Sequence, residues 1–166
     1  LPISLLGAHG GDEVAGTLRN LLDESMVSTE HREMFEDVVY QTQDNADSVG
    51  YVKRLLNYYV SEEVLPSLLA DLERKLLGSP LNSSDIYLSR DEIQEISGAG
   101  MHVGSHATTH RVMSTLSRAE QRQEIRQSFE FLEEVLGELP VRSYCHPYGG
   151  THSYTDETLE LLADAN

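Results

Sequence analysis

Two histidines stand four residues apart in the stretch His106-Ala-Thr-Thr-His110. Imidazole is the commonest protein ligand for a transition metal. A spacing of four brings both rings to one face where the backbone turns helical. The chemistry suggested is shared coordination of one cation. Spacing alone is a weak sign. With 7 histidines in 166 residues, such a pair arises by chance in roughly three chains of ten, and it fits two ordinary loop histidines equally well. Position strengthens it. Residues 101–106 alternate as Met-His-Val-Gly-Ser-His, which predicts a strand with Met101 and Val103 on one side and His102, Gly104 and His106 on the other. Strand ends in α/β folds aim side chains into the crevice where ligands bind. Gly104 and Ser105 are small and leave room for one.

A second candidate segment is Tyr144-Cys-His-Pro-Tyr-Gly-Gly150. It follows another predicted strand, 140–145. Pro147 and the two glycines shape a turn, and a turn can present backbone N–H groups to an oxyanion. Taken alone, the segment reads better as a tight turn with Tyr148 packed for bulk.

The elements that must position these residues are legible from periodicity and caps. Residues 1–11 are apolar, then glycine-rich. A helix is predicted from Asp12, with Val14, Leu18, Leu21 and Leu22 on one face. Residues 29–40 show a weaker pattern, with Met34, Val38 and Phe35 as inward candidates, and 41–48 read as a polar loop. Ser48 is a plausible cap for a helix carrying Val49, Val52, Leu55, Leu56 and Tyr59. Ser61 can cap another, with Leu65, Leu68, Leu69, Leu72 and Leu76, closed by Gly78. Capping-box patterns at Ser89–Glu92 and Ser117–Glu120 open two later helices. The longer of these sets Ile125, Phe129, Leu132, Val135 and Leu136 inward and stops at Gly137. Thr155 caps a last helix holding Leu159 and Leu162. Helix–strand–helix–strand–helix is α/β order and favours parallel strands.

Composition narrows the partners. The chain carries 28 acidic and 12 basic residues, net −16. Residues 1–80 hold 14 acidic and 6 basic groups, and residues 81–166 hold 14 and 6 again, so each half is −8. No basic excess exists to neutralise phosphates, which argues against nucleic acid and anionic lipid as partners. Cys145 is the single cysteine, so no intrachain disulfide can form. No apolar run approaches the ~20 residues that span a bilayer. The chain opens on Leu1-Pro2 and ends within a helical pattern, which leads us to expect a fragment of a longer protein.

Together the two candidate segments carry a resemblance. Gly100-Met-His-Val-Gly-Ser-His-Ala-Thr-Thr-His110, followed by Leu116-Ser117, resembles the second motif of the polysaccharide deacetylase family (NodB-like, carbohydrate esterase family 4), His-Ser/Thr-x-x-His. Pro147-Tyr148-Gly149 resembles its third motif, of Arg-Pro-Pro-Tyr-Gly type. One capped helix and a short strand separate the motifs, as in that family, and the likeness covers about residues 86–166.

The resemblance implies an α/β fold, a partial distorted (β/α) barrel with an N-terminal helical insertion of a kind seen in some bacterial members. The insertion would span 1–84 and the catalytic part 85–166. It implies a divalent metal, zinc above all, held by His106 and His110, and the Tyr148 backbone N–H at the oxyanion. Pro147, Gly149 and His146 are the candidate substrate-binding residues. The substrate class implied is an N-acetylated sugar within a glycan, losing its acetyl group by amide hydrolysis.

The family's first motif, a Thr-Phe-Asp-Asp type segment supplying a metal-binding Asp and a base, has no counterpart here. Gly10-Gly-Asp-Glu13 is the nearest acidic pair, and it reads as the acidic first turn of a helix. The late Leu-x-His motif carrying the general acid is also missing. Cys145-His146 stands where the family often has Arg-Pro, and Arg142 lies three residues away. The expectation is truncation at both ends and little activity in this chain by itself. Two other functions stay open: a non-catalytic module docking a partner through its leucine-rich helices, and an amidase of the same kind acting on a small non-sugar amide. Members of the family are often exported, and no leader is visible here.

Overall fold

A helix begins where a side chain satisfies its first free backbone N–H groups. The C-terminal half does this three times. Ser89 with Glu92, Ser117 with Glu120 and Thr155 with Thr158 each form a reciprocal capping box. They open α6 (Arg90–Gly98), α7 (Arg118–Leu136) and α8 (Asp156–Asp164). The computed structural model describes residues 2–41, 43–79, 82, 84 and 86–165. The chain divides into two units, Leu1–Asp85 and Ile86–Asn166.

The first unit is helical: α1 (Pro2–His9), α2 (Gly11–Leu21), α3 (Thr29–Phe35), α4 (Asp47–Arg54) and α5 (Leu65–Leu77). The opening residues, read only as an apolar stretch, are α1. Ser48 and Ser61 do not cap, since α4 starts one residue before Ser48 and α5 starts at Leu65. Gly78 does close α5, in the left-handed conformation at φ 73°.

After α4 the backbone widens into a π-turn, Leu55–Tyr59, burying Leu55, Leu56, Tyr58 and Tyr59. Burial of four of five successive residues means that this turn is enclosed on most of its circumference rather than on one face. The core adds Val14, Leu18, Phe35, Val39, Val52, Leu68 and Leu72. The leucines that could have formed a docking face are therefore largely core. Met34 and Val38 are 48% and 47% exposed, while Phe35 and Val39 are buried. The buried pair keeps the i, i+4 spacing, with Val39 N donating to Phe35 O at 3.2 Å, so the inward face lies one residue out of phase with the predicted one.

The second unit is built on α7. Its stripe of Ile125, Phe129, Leu132 and Val135 is buried, and Met113, Leu116 and Leu161 close around Ile125 and Phe129. In α8, Leu161 and Thr158 face inward while Leu159 is exposed.

The barrel expectation is overturned. Of the described residues, 62% are helical and 3% are in strand pairing, and they form no sheet or barrel. The segments predicted as strands run extended but meet in a single parallel bridge, Ser105 with Tyr144. Two hydrogen bonds make it: Ser105 N donates to Ser143 O and Cys145 N donates to Ser105 O, both at 2.9 Å. Parallel pairing is stable when further strands flank it. The other bridge among the described residues, Val27 with Val60, is antiparallel and lies in the first unit.

Even this one bridge imposes a steric demand. A Cβ on Gly104 would lie 2.3 Å from Ser143 Oγ and 3.2 Å from Ser143 O. Gly104→Ala is expected to destabilise the chain by about 1–3 kcal/mol, the usual range for overpacking. Removing the hydroxyl with Ser143→Ala relieves the closer contact, so a double-mutant cycle in urea should show favourable coupling. Additive losses would refute the contact as the cause.

Candidate active site

The bridge sets the geometry of everything around it. Ser105 is buried, and its hydroxyl meets Ser128 Oγ on α7 at 2.6 Å. Ser128 spends its own proton on Ile125 O at 2.8 Å, so Ser105 is the donor in that pair. With Ser105 pinned inward, alternation turns the next residue, His106, outward. Its Nδ1 lies 2.8 Å from the carbonyl oxygen of Cys145. A carbonyl only accepts, so Nδ1 carries the proton and Nε2 keeps a free lone pair.

His110 returns to meet it. The two ring centroids are 4.7 Å apart at an interplanar angle of 73°. His110 also packs edge-on against Tyr148, centroids 4.8 Å apart. The predicted route to convergence was a helical turn. Instead Ala107 and His110 both take left-handed backbone conformations, φ 63° and 59°. Tyr148 does the same at φ 66°, followed by Gly149 at 70°. Left-handed non-glycine residues are uncommon and concentrate at functional sites.

Although His110 is exposed overall, partial burial of its ring, followed by the neighbouring His106 charge, holds it below the ordinary histidine range. The neutral form, the one that binds metals, is thereby favoured. Two imidazoles on one tetrahedral zinc, each with Zn–N of about 2.0–2.1 Å, place their ring centres roughly 5 Å apart. The observed spacing fits, and so does the hydrogen bond that orients His106. Among the described residues, no group of three or more His, Cys, Asp or Glu side chains gathers as a metal site.

The other candidates are placed as follows. Pro147 is fully buried at the base of the turn and Gly149 is exposed. His146 stacks on Tyr154, centroids 4.1 Å apart at 21°, and meets Tyr144 edge-on at 5.2 Å. The Tyr144 hydroxyl and His146 Nδ1 are buried and have no hydrogen-bond partner among the described residues. Burial, then the charge of Glu124, pushes the Tyr144 phenol well above its usual range. A cleft of about 390 Å³ adjoins His106, floored by Gly104, Ser105, Ser128 and Leu132 and edged by Phe131.

The chain matches the family model for polysaccharide deacetylase over residues 32–166. It belongs to the polysaccharide deacetylase family. The match begins within α3 and takes in α4 and α5 as well as the second unit. No curated protein and no solved structure matches the chain. As a family member it is a hydrolase of the carbohydrate esterase kind, with a deacetylase-type function and a glycan as substrate. Among the described residues, no helix of this deacetylase is long and apolar enough to cross a membrane.

Reading α7 only for apolar period misses its polar members. Gln121, Glu124 and Ser128 are buried on the same face as Ile125 and Phe129. Polar residues at 121, 124 and 128, in step with the apolar stripe, were the available signal.

The stability of this deacetylase is expected to depend on pH through His146. Burial holds its imidazole below the ordinary value near 6.5. Below that pH the unfolded chain takes up a proton that the folded chain resists, so stability falls as pH falls. His146→Phe keeps a ring on Tyr154 and removes the titration. Its melting temperature relative to wild type should rise between pH 7.5 and pH 5.5. A difference constant with pH would count against the burial.

Proposed function

We propose that His106 and His110 hold one divalent metal, zinc on their donor chemistry, and that the chain carries the metal side of a site removing N-acetyl groups from glycan sugars. The observation carrying this reading is the convergence of the two imidazoles, 4.7 Å apart and beside Tyr148. A bound zinc polarises a carbonyl oxygen and lowers the pKa of its water toward ~7.

The chain's own residues do the rest. Cys145 O fixes the His106 tautomer so that Nε2 faces outward. In this reading the Tyr148 backbone N–H donates to the oxyanion that develops when the acetamide carbonyl becomes tetrahedral, supported by the Tyr148 ring lying against His110. Gly149 is exposed on the turn at 147–149, and His146 stacks on Tyr154. Hydrolysis consumes one water and releases acetate and a free sugar amine. A carboxylate base is not gathered at the pair among the described residues. Losing one member of a catalytic unit costs orders of magnitude, so this chain by itself should turn over little.

Binding is the sharper test. In ¹H–¹⁵N spectra of the zinc-loaded chain, a chitooligosaccharide should shift the Tyr148 amide and the imidazoles of His106 and His110. Shifts confined to residues outside 104–110 and 146–150 would sink the assignment.

A further inference from the structure

The two histidines are joined by a loop that has little reason to hold its shape unaided. It crosses Ala107 and ends on His110 in left-handed conformations, each costing of order 1 kcal/mol or more for a non-glycine residue. Neither ring is buried deeply enough to be clamped by packing, since both residues are exposed. Something else must over-determine the loop.

That something lies one helix away. Glu124 on α7 is 6% exposed, an unusual depth for a carboxylate. One of its oxygens accepts the backbone N–H of Thr108 at 2.9 Å and of Thr109 at 2.8 Å. The other accepts the Thr109 hydroxyl at 2.7 Å. The Thr108 hydroxyl donates to the Glu124 backbone carbonyl at 3.1 Å. Four hydrogen bonds thus tie the two residues midway between His106 and His110 to a single position on the longest helix. Hydrogen bonds to a charged acceptor are the strong ones, and a buried carboxylate pays its desolvation only when so engaged.

We propose that Glu124 is a positioning residue: by gathering Thr108 and Thr109 it holds the loop in its left-handed path and keeps the two imidazoles convergent. It touches neither ring. The proposal deepens the metal reading, on which its relevance to zinc rests, and it makes a claim about ring geometry that stands apart from any metal. What the loop needs is a correctly placed acceptor, not a negative charge. Glutamine in that place can present its carbonyl oxygen to both N–H groups, with the Thr109 hydroxyl reversing to accept from the amide. Aspartate keeps the charge and falls short by one methylene.

The test uses the whole chain and two readouts. One is the NOE between the His106 and His110 ring protons in metal-free protein; the other is Zn²⁺ affinity by competition with a chromogenic chelator. Glu124→Ala and Glu124→Asp should lose the NOE and bind Zn²⁺ about tenfold to a hundredfold more weakly, the range for residues that orient metal ligands. Glu124→Gln should keep the NOE and stay within about threefold of wild type by the same scale. Gln121→Ala serves as a stability control. Gln121 bonds Leu116 O and the Thr158 hydroxyl on the same buried face, so its loss should lower the melting temperature and leave Zn²⁺ affinity unchanged. Should Glu124→Ala fail to fold, the aspartate and glutamine variants decide between placement and charge. The proposal is overturned if a folded alanine or aspartate variant keeps the NOE and wild-type affinity, or if glutamine is as weak as alanine. A wild type that shows the NOE but binds no Zn²⁺ would remove the metal reading alone.

Discussion

Replacing His106 and His110 together with alanine is expected to lower the affinity of the chain for Zn²⁺ by at least about a hundredfold, since groups that merely orient a ligand already account for 10- to 100-fold. In the proposed site the two rings are the nitrogen donors, and their centroids lie 4.7 Å apart. Both residues are exposed, so truncating them opens no cavity, and far-UV circular dichroism and melting temperature should hold. Each single variant should lose most of the affinity, because one imidazole without its neighbour has no chelate. Chelator competition across the four proteins measures this directly. If the double variant matched wild type, the edge-on contact of the two rings would be packing alone.

The second large effect falls on stability. Phe129→Ala should destabilise the chain by about 3–5 kcal/mol, the range for a buried Phe, which is a large share of the roughly 5–15 kcal/mol that holds a domain. Phe129 is 4% exposed and packs within the cluster of Met113, Leu116, Ile125 and Leu161. Tyr144 lies over it, ring centroids 6.4 Å apart, and the Arg142 guanidinium sits 5.4 Å from its centre. Ile125 is held on α7, Leu161 on α8 and Tyr144 by its bridge to Ser105, so the space left by the ring should close only in part. A fall in melting temperature of about 12 °C or more follows for a unit of this size. Since Ala107 packs against the same cluster, the histidine loop should loosen too, and Zn²⁺ affinity should fall with stability. Calorimetry showing a drop of only a few degrees would mean that the cavity collapses and the cluster is less rigid than its burial implies.

These two variants separate what holds the site from what makes it. The histidines contribute donors and almost no fold. Phe129 contributes fold and no donor. Glu124 stands between them, a core residue whose side chain accepts three bonds and whose backbone carbonyl accepts a fourth, converting the rigidity of α7 into the position of a surface loop.

The chain's local chemistry was legible before any coordinates. The helices opened by Ser89, Ser117 and Thr155 were predicted where they occur, because a cap is a bond between residues three apart and needs nothing from the rest of the chain. The inward faces of α2, α5 and α7 followed from period alone, and the motifs at 106–110 and 147–149 carried the family, which the match over 32–166 bears out. Long-range pairing was not legible. Residues 101–106 and 140–145 have the alternation of strands, yet a strand exists only where neighbours complete its hydrogen bonds, and here one parallel bridge is all that forms. The convergence of His106 and His110 likewise came from two left-handed residues rather than a helical turn. Glu124 could not be distinguished from a surface acid until α7 was seen to bury it. Caps, periods and motifs depend on near neighbours in sequence. Sheets, strained loops and buried charges depend on partners tens of residues away, and only the folded chain decides who those are.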